Sequence, residues 1–152
     1  MVELVESVEQ RLIDTVRAVR QHVTIPVAVK LSPFYSSMGH LALQLEAAGA
    51  NGLVLFNRFY QPDIDPEMLQ TVPRLQLSTP DELTLRLHWL ALLSNRTKLS
   101  LASSGGVHSG LDAIKAIMAG ADAVQMVAAL LHHGPAKLTS TIHELHRWLQ
   151  DH

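Results

Sequence analysis

Ala48-Gly49-Ala50-Asn51-Gly52-Leu53-Val54 and, 71 positions later, Ala119-Gly120-Ala121-Asp122-Ala123-Val124-Gln125 read as one phrase written twice. In each copy a glycine stands just past a stretch of helical apolar spacing, where a helix end favours a left-handed residue. A short apolar run follows that reads as a buried strand. Ahead of the first copy, Leu41, Leu45 and Ala48 share one helix face, and Ser36 or Ser37 supplies the N-cap. Ahead of the second, Ser109 and Asp112 form a capping arrangement, with Leu111, Ile114, Ile117 and Met118 inward. The same shift lays a strand over 26–31 on residues 97–102.

Working outward, strands are expected over 26–31, 52–56, 98–102 and 123–127. An amphipathic helix over 5–19 precedes them, built on Val5, Val8, Leu12, Val16 and Val19. Thr79-Pro80-Asp81-Glu82 places a capping hydroxyl, a first-turn proline and an acid at the third position, starting a helix that runs to Leu93. The last helix covers 136–149. Residues 57–80 carry four prolines in a connection too long to be a plain one, and such loops are functional or partly structured.

Strand and helix alternate four times, which implies parallel strands joined by helical crossovers. Repetition of equivalent units suits a (β/α)8 barrel better than an open doubly wound sheet. Such a barrel takes roughly 200 residues or more. The fold class expected is therefore α/β, half of a TIM barrel, with four βα units preceded by one helix. The chain ends one helix after the fourth strand, which makes this the C-terminal half, one partial domain over 1–152. A half-barrel leaves two strand edges unpaired and one core face wet. The expected partner is a missing N-terminal half or a second copy of the chain.

Composition bounds the function. With 47% hydrophobic residues and a net charge of -2, the chain is an ordinary globular one. Its lysines and arginines are scattered, so nucleic acid is set aside. No cysteine is present, which removes a disulfide framework, a thiolate zinc site and a thiol nucleophile from this chain. The apolar runs are too short to span a bilayer, and Glu3, Glu6, Glu9 and Asp14 do not suit a secretory signal. A cytoplasmic protein without membrane contact is expected.

If Val27, Val29 and Leu31 meet the helices, Lys30 points into the barrel at its C-terminal mouth, where barrel enzymes place their sites. The plain alternative is a lysine snorkelling to solvent. Asn57 follows the second strand and can donate to and accept from a planar polar ligand, or cap a turn. Ser103-Ser104-Gly105-Gly106-Val107 reads as a phosphate cradle, with small residues that admit close backbone approach, or as a tight turn. Val127-Ala128-Ala129-Leu130 is a second small-residue run after the last strand, and barrel phosphate sites are frequently built from the loops after the final two strands. The nine histidines have no matching carboxylate spacing, so no metal site is expected. No serine has a local base, which leaves a nucleophilic triad unsupported.

Val29-Lys30-Leu31-Ser32-Pro33, then Asn57, then Ser104-Gly105-Gly106-Val107, then Gly120 to Gln125 with Ala128-Ala129-Leu130, resemble in this order the C-terminal half of the dihydroorotate dehydrogenase family. The resemblance runs from about Ile25 onward, and Asn57 to Asp63 looks more like a dehydrogenase-like bacterial subgroup. It implies an FMN-dependent oxidation of dihydroorotate to orotate in pyrimidine biosynthesis. Lys30 would match the flavin-contacting lysine, whose charge would stabilise the anionic reduced ring. Asn57 would bond the planar substrate. Ser104, Gly105, Gly106 and the backbone around Ala128 and Ala129 would bind the cofactor, chiefly its phosphate. Where Ala128 stands the family often has a hydroxyl residue. The family's base, a Cys or Ser on an earlier loop, has no counterpart in this chain, so no catalytic residue is identified. Two other readings remain open: another phosphate-ligand barrel enzyme, and a non-catalytic half-barrel that dimerises.

Overall fold

Asn51 and Asp122 fasten the same joint in two places. The Asn51 backbone N–H donates to the Val27 carbonyl at 2.8 Å, and its Oδ1 accepts from the Val27 N–H at 2.9 Å. The Asp122 N–H donates to the Leu101 carbonyl at 2.7 Å, and its Oδ2 accepts from the Leu101 N–H at 2.8 Å. Each polar side chain thus closes the base of one strand onto the strand before it. In the computed structural model, which describes residues 2–152 and side chains from Val8 onward, these joints set the spacing of a four-stranded sheet.

The strands are β1 (Ala28–Leu31), β2 (Gly52–Leu55), β5 (Ser100–Ser104) and β6 (Ala123–Gln125), all parallel and in the order β1-β2-β5-β6. The helices are α1 (Val2–His22), α2 (Met38–Ala47), α3 (Leu83–Leu93), α4 (Gly110–Met118), α5 (Ala128–His133) and α6 (Ala136–Asp151). Along β1 the burial alternates, with Val29 and Leu31 inside and Ala28 and Lys30 exposed. Val29, Leu31, Leu53, Leu55 and Leu101 pack with Leu41, Leu45, Leu90 and Leu93 into one core. Full burial of each such side chain stabilises by about 1.5–3 kcal/mol. The opposite, concave face carries Lys30, Ala123 and Gln125, all exposed. These are four consecutive βα units of barrel type behind one helix, as expected.

Several boundaries and faces differ from expectation. The third strand begins at Ser100 rather than 98, and it extends through Ser104. Asn51 and Asp122 are 71 positions apart, yet the residues they fasten, Val27 and Leu101, are 74 apart. From the fastened strand residue to its joint the second copy spans 21 positions against 24 in the first, so an ungapped shift sets the strand early. The fourth strand ends at Gln125 rather than 127, because the backbone turns there into the unexpected short helix α5.

Two helix faces are rotated from expectation. α1 buries Ile13 and Val16, whereas Val8 and Val19 are exposed. The inward place expected for Val5 lies outside the described side chains. α4 turns Ala113, Ile114 and Ala116 inward, leaving Leu111, Ile117 and Met118 exposed. Small residues on that face let α4 approach the sheet closely. Of the two caps considered for α2, Ser37 holds the position without a side-chain bond, and Ser36 instead donates to Glu9.

Residues 57–80 contain an antiparallel hairpin, β3 (Gln61–Asp65) and β4 (Gln70–Arg74). Pro62 lies opposite Pro73, which a two-stranded ribbon tolerates because each strand keeps a free edge. No helix among the described residues is long and apolar enough to cross a membrane.

Candidate functional site

The strand ends and the loops after them enclose a cavity of about 290 Å³. Lys30 reaches it from the concave side of β1, and its Nζ donates to the Ser104 Oγ at 3.1 Å. Ser104 closes β5 and stands opposite Gln125, which closes β6 and also faces the cavity. Asn57 follows β2, held by its N–H on the Leu31 carbonyl at 2.8 Å. Its Oδ1 accepts from the Arg58 N–H at 3.0 Å, and the residue lines the cavity.

Of the seven residues singled out from sequence, Lys30, Asn57, Ser104, Gly105 and Ala128 meet on this cavity. Gly106 and Ala129 do not line it. Ala129 is fully buried behind Ala128. The Gly106 N–H donates to the Ser78 Oγ at 3.2 Å, so in this structure it faces the protein. Gly105 and Gly106 have φ of +86° and +80°, in the left-handed region. At Gly106 a Cβ would stand 2.5 Å from the Leu83 backbone nitrogen, so this glycine seats the loop against the start of α3. His108 adds a second clamp, with Nε2 at 2.8 Å from the Ser78 carbonyl.

A cluster of charges behind the loop escaped the sequence reading. Arg58 Nη1 donates to both Glu82 carboxylate oxygens, at 2.7 and 2.6 Å, and its Nε donates to the Gln76 carbonyl at 2.6 Å. Arg86, only 5% exposed, donates from Nε to the Ser104 carbonyl at 3.1 Å and from Nη1 to the Glu82 carbonyl at 2.8 Å. Burial pushes the Arg86 pKa down, with Glu82 opposing; a guanidinium still carries its charge at neutral pH. One sequence signal was available. Leu83, Arg86, Leu90 and Leu93 form the buried stripe of α3, and an arginine on an apolar stripe needs a partner.

Lys30, Arg58 and Arg86 bring three cations to the cavity, and no carboxylate among the described residues lines it. Phe56, Leu75, Leu77 and Leu131 supply apolar wall. The arrangement suits a flat anionic ligand, gripped at one edge by charge and along its faces by apolar contact. Among the described residues no group of His, Asp or Glu is placed to hold a metal ion.

A sequence profile described as dihydroorotate dehydrogenase matches residues 3–149. The chain belongs to the dihydroorotate dehydrogenase family. Dihydroorotate dehydrogenase A (fumarate) of Limosilactobacillus reuteri is 35% identical over 131 residues, 83% of this chain and 41% of that protein. The catalytic subunit of dihydroorotate dehydrogenase B (NAD(+)) from Citrifermentans bemidjiense is 31% identical over 144 residues, 91% of this chain and 46% of that protein. The ligand-free dihydroorotate dehydrogenase of Eimeria tenella superposes with a TM-score of 0.66 at 25% identity, covering 82% of this chain and 36% of that one. The chain thus spans less than half the length of these relatives.

Proposed function

We propose that this chain forms the FMN- and substrate-holding half of an FMN-dependent dihydroorotate dehydrogenase of pyrimidine biosynthesis, working in the cytoplasm. The observation that carries the reading is convergence: within a member of this family, Lys30, Asn57, Ser104, Gly105 and Ala128, far apart in sequence, meet on one cavity. A cation-lined wall with no carboxylate among the described residues fits a phosphate-bearing flavin. Gly105, without a side chain at the cavity, fits close backbone approach.

When bound, FMN supplies the two-electron acceptor for the oxidation of dihydroorotate to orotate. Lys30 holds its positive charge over the concave face, kept there by the Ser104 hydroxyl. Asn57 presents its amide to a planar polar substrate. The backbone around Gly105 and Ala128 forms the phosphate end, and Gly106 and Ala129 shape that wall from behind. The proton removed from the substrate carbon goes to a base outside these 152 residues, on the other half of a complete barrel.

The test is to purify the chain alone and after co-expression with the N-terminal half of a relative, then record flavin absorbance and dihydroorotate oxidation. Bound FMN and turnover in the reconstituted protein are expected. A folded, reconstituted protein without flavin overturns the proposal.

A further inference from the structure

The three cations at the cavity are not equivalent. Arg58 has a carboxylate, with its Nη1 against both Glu82 oxygens. Arg86 reaches the same carboxylate only at 3.4 Å, so one acid serves two guanidiniums and a positive charge is left over. Arg86 carries that excess in the more buried place, its side chain 7% exposed against 30% for Arg58. A buried guanidinium short of a counter-charge is costly unless an anion completes it.

The fork of Arg86 shows where such an anion belongs. Nε holds the Ser104 carbonyl and Nη1 holds the Glu82 carbonyl. Nη2 donates to no protein group among the described residues, and a Cβ on Gly105 would come within 3.0 Å of it. Glycine at position 105 therefore keeps this nitrogen uncovered beside the cavity. Resting on the reading above, we propose that Arg86 is the cation of the phosphate subsite. Its Nη2 donates to a phosphate monoester seated against the Gly105 turn, while its Nε fixes the Ser104 carbonyl and with it the course of that turn. Arg86 is thereby the residue that distinguishes a flavin bearing a phosphate from one without it. A guanidinium suits both tasks because its planar donors point in fixed directions.

Binding separates this role from a structural one. FMN, riboflavin and inorganic phosphate are titrated into wild type, Arg86→Gln and Arg86→Lys, in the chain reconstituted with an N-terminal half. Flavin fluorescence reads the first two, and amide shifts of Gly105 and Ala128 read phosphate. Wild type should prefer FMN to riboflavin, and Arg86→Gln should lose at least about tenfold in FMN and phosphate affinity with riboflavin affinity unchanged. Equal loss of FMN and riboflavin makes Arg86 purely structural and overturns the proposal, as does an unchanged FMN preference in Arg86→Gln. If Arg86→Gln does not fold, Arg86→Lys decides: its FMN preference should fall severalfold, because one ammonium cannot hold both the Ser104 carbonyl and the anion. An unchanged ratio there overturns the proposal. Wild type that binds phosphate through Arg86 but no flavin supports this subsite and removes the flavin function, whereas wild type that binds none of the three overturns both.

Discussion

Lys30 and Ser104, joined by a 3.1 Å hydrogen bond across the concave face, occupy equivalent places in two copies of one structural unit. Lys30 stands opposite Val54 in the β1–β2 ladder, as Ser104 stands opposite Gln125 in the β5–β6 ladder. One copy carries the cation and the other the hydroxyl that orients it.

Because Lys30 is exposed, Lys30→Met should change stability by no more than about 0.5 kcal/mol in urea unfolding. In the reconstituted protein the same variant should lower flavin affinity about tenfold, as expected for losing a charged hydrogen bond. Ser104→Ala should have a smaller effect, since it removes only the orienting acceptor. A large stability loss in Lys30→Met would place the lysine in the fold rather than the site.

Gly106→Ala and Gly134→Ala separate crowding from backbone strain. Both glycines have positive φ, +80° and +75°. A Cβ at Gly134 meets nothing within 4 Å, whereas at Gly106 it stands 2.5 Å from the Leu83 nitrogen. Gly134→Ala should cost about 1–3 kcal/mol, because φ of +75° with ψ of 174° is a backbone region nearly confined to glycine. Gly106→Ala should cost clearly more. Equal unfolding midpoints for the two variants would contradict this packing.

At Asp122 the carbonyl-type oxygen matters rather than the charge, since Asn51 does the same job with an amide. Asp122→Asn should lie within about 0.5 kcal/mol of wild type, and Asp122→Ala should lose about 1 kcal/mol, the net worth of a hydrogen bond. Denaturant midpoints for the pair check this ordering.

Glu46 links acid stability to the contact between the end of α2 and the residues leading into β5. Its carboxylate accepts from the Thr97 hydroxyl and the Lys98 N–H, and these bonds hold its pKa below the ordinary carboxylate value. A depressed folded-state pKa favours the folded protein above the unfolded value of 4.5, and that contribution fades as pH falls through the folded value. Glu46→Gln should therefore flatten the loss of stability below about pH 4.5. Thermal melts of both proteins between neutral and acidic pH measure the difference.

The duplicated glycine and Asn or Asp phrase made the fold legible, because those residues have local jobs: a left-handed helix end and a strand-base joint. Lys30 was legible for a similar reason, since alternation along β1 fixes its side. The charge cluster was not. Arg86 meets Glu82 at the N-terminal cap of its own helix, but its bond to the Ser104 carbonyl joins elements that no local pattern relates. The hairpin was hidden by its prolines, which argue against a central strand but not against a free ribbon. In sequence Gly106 reads as a ligand donor, because a glycine pair looks alike whether it faces a phosphate or the neighbouring helix.

The joints at Asn51 and Asp122 leave the two ends of the sheet with unequal tolerance for edits. At the cavity end the connections differ in length: six residues separate β1 from α2, five separate β5 from α4, and the connection after β2 carries a whole hairpin. A loop grafted there alters the rim and leaves strand spacing intact. One residue inserted between Asp122 and Ala123 would instead shift β6 by a single step against β5, and every side chain on it would change face. Gln125 would leave the cavity and an apolar neighbour would enter in its place, so a single codon at the base would rewrite a site at the opposite end.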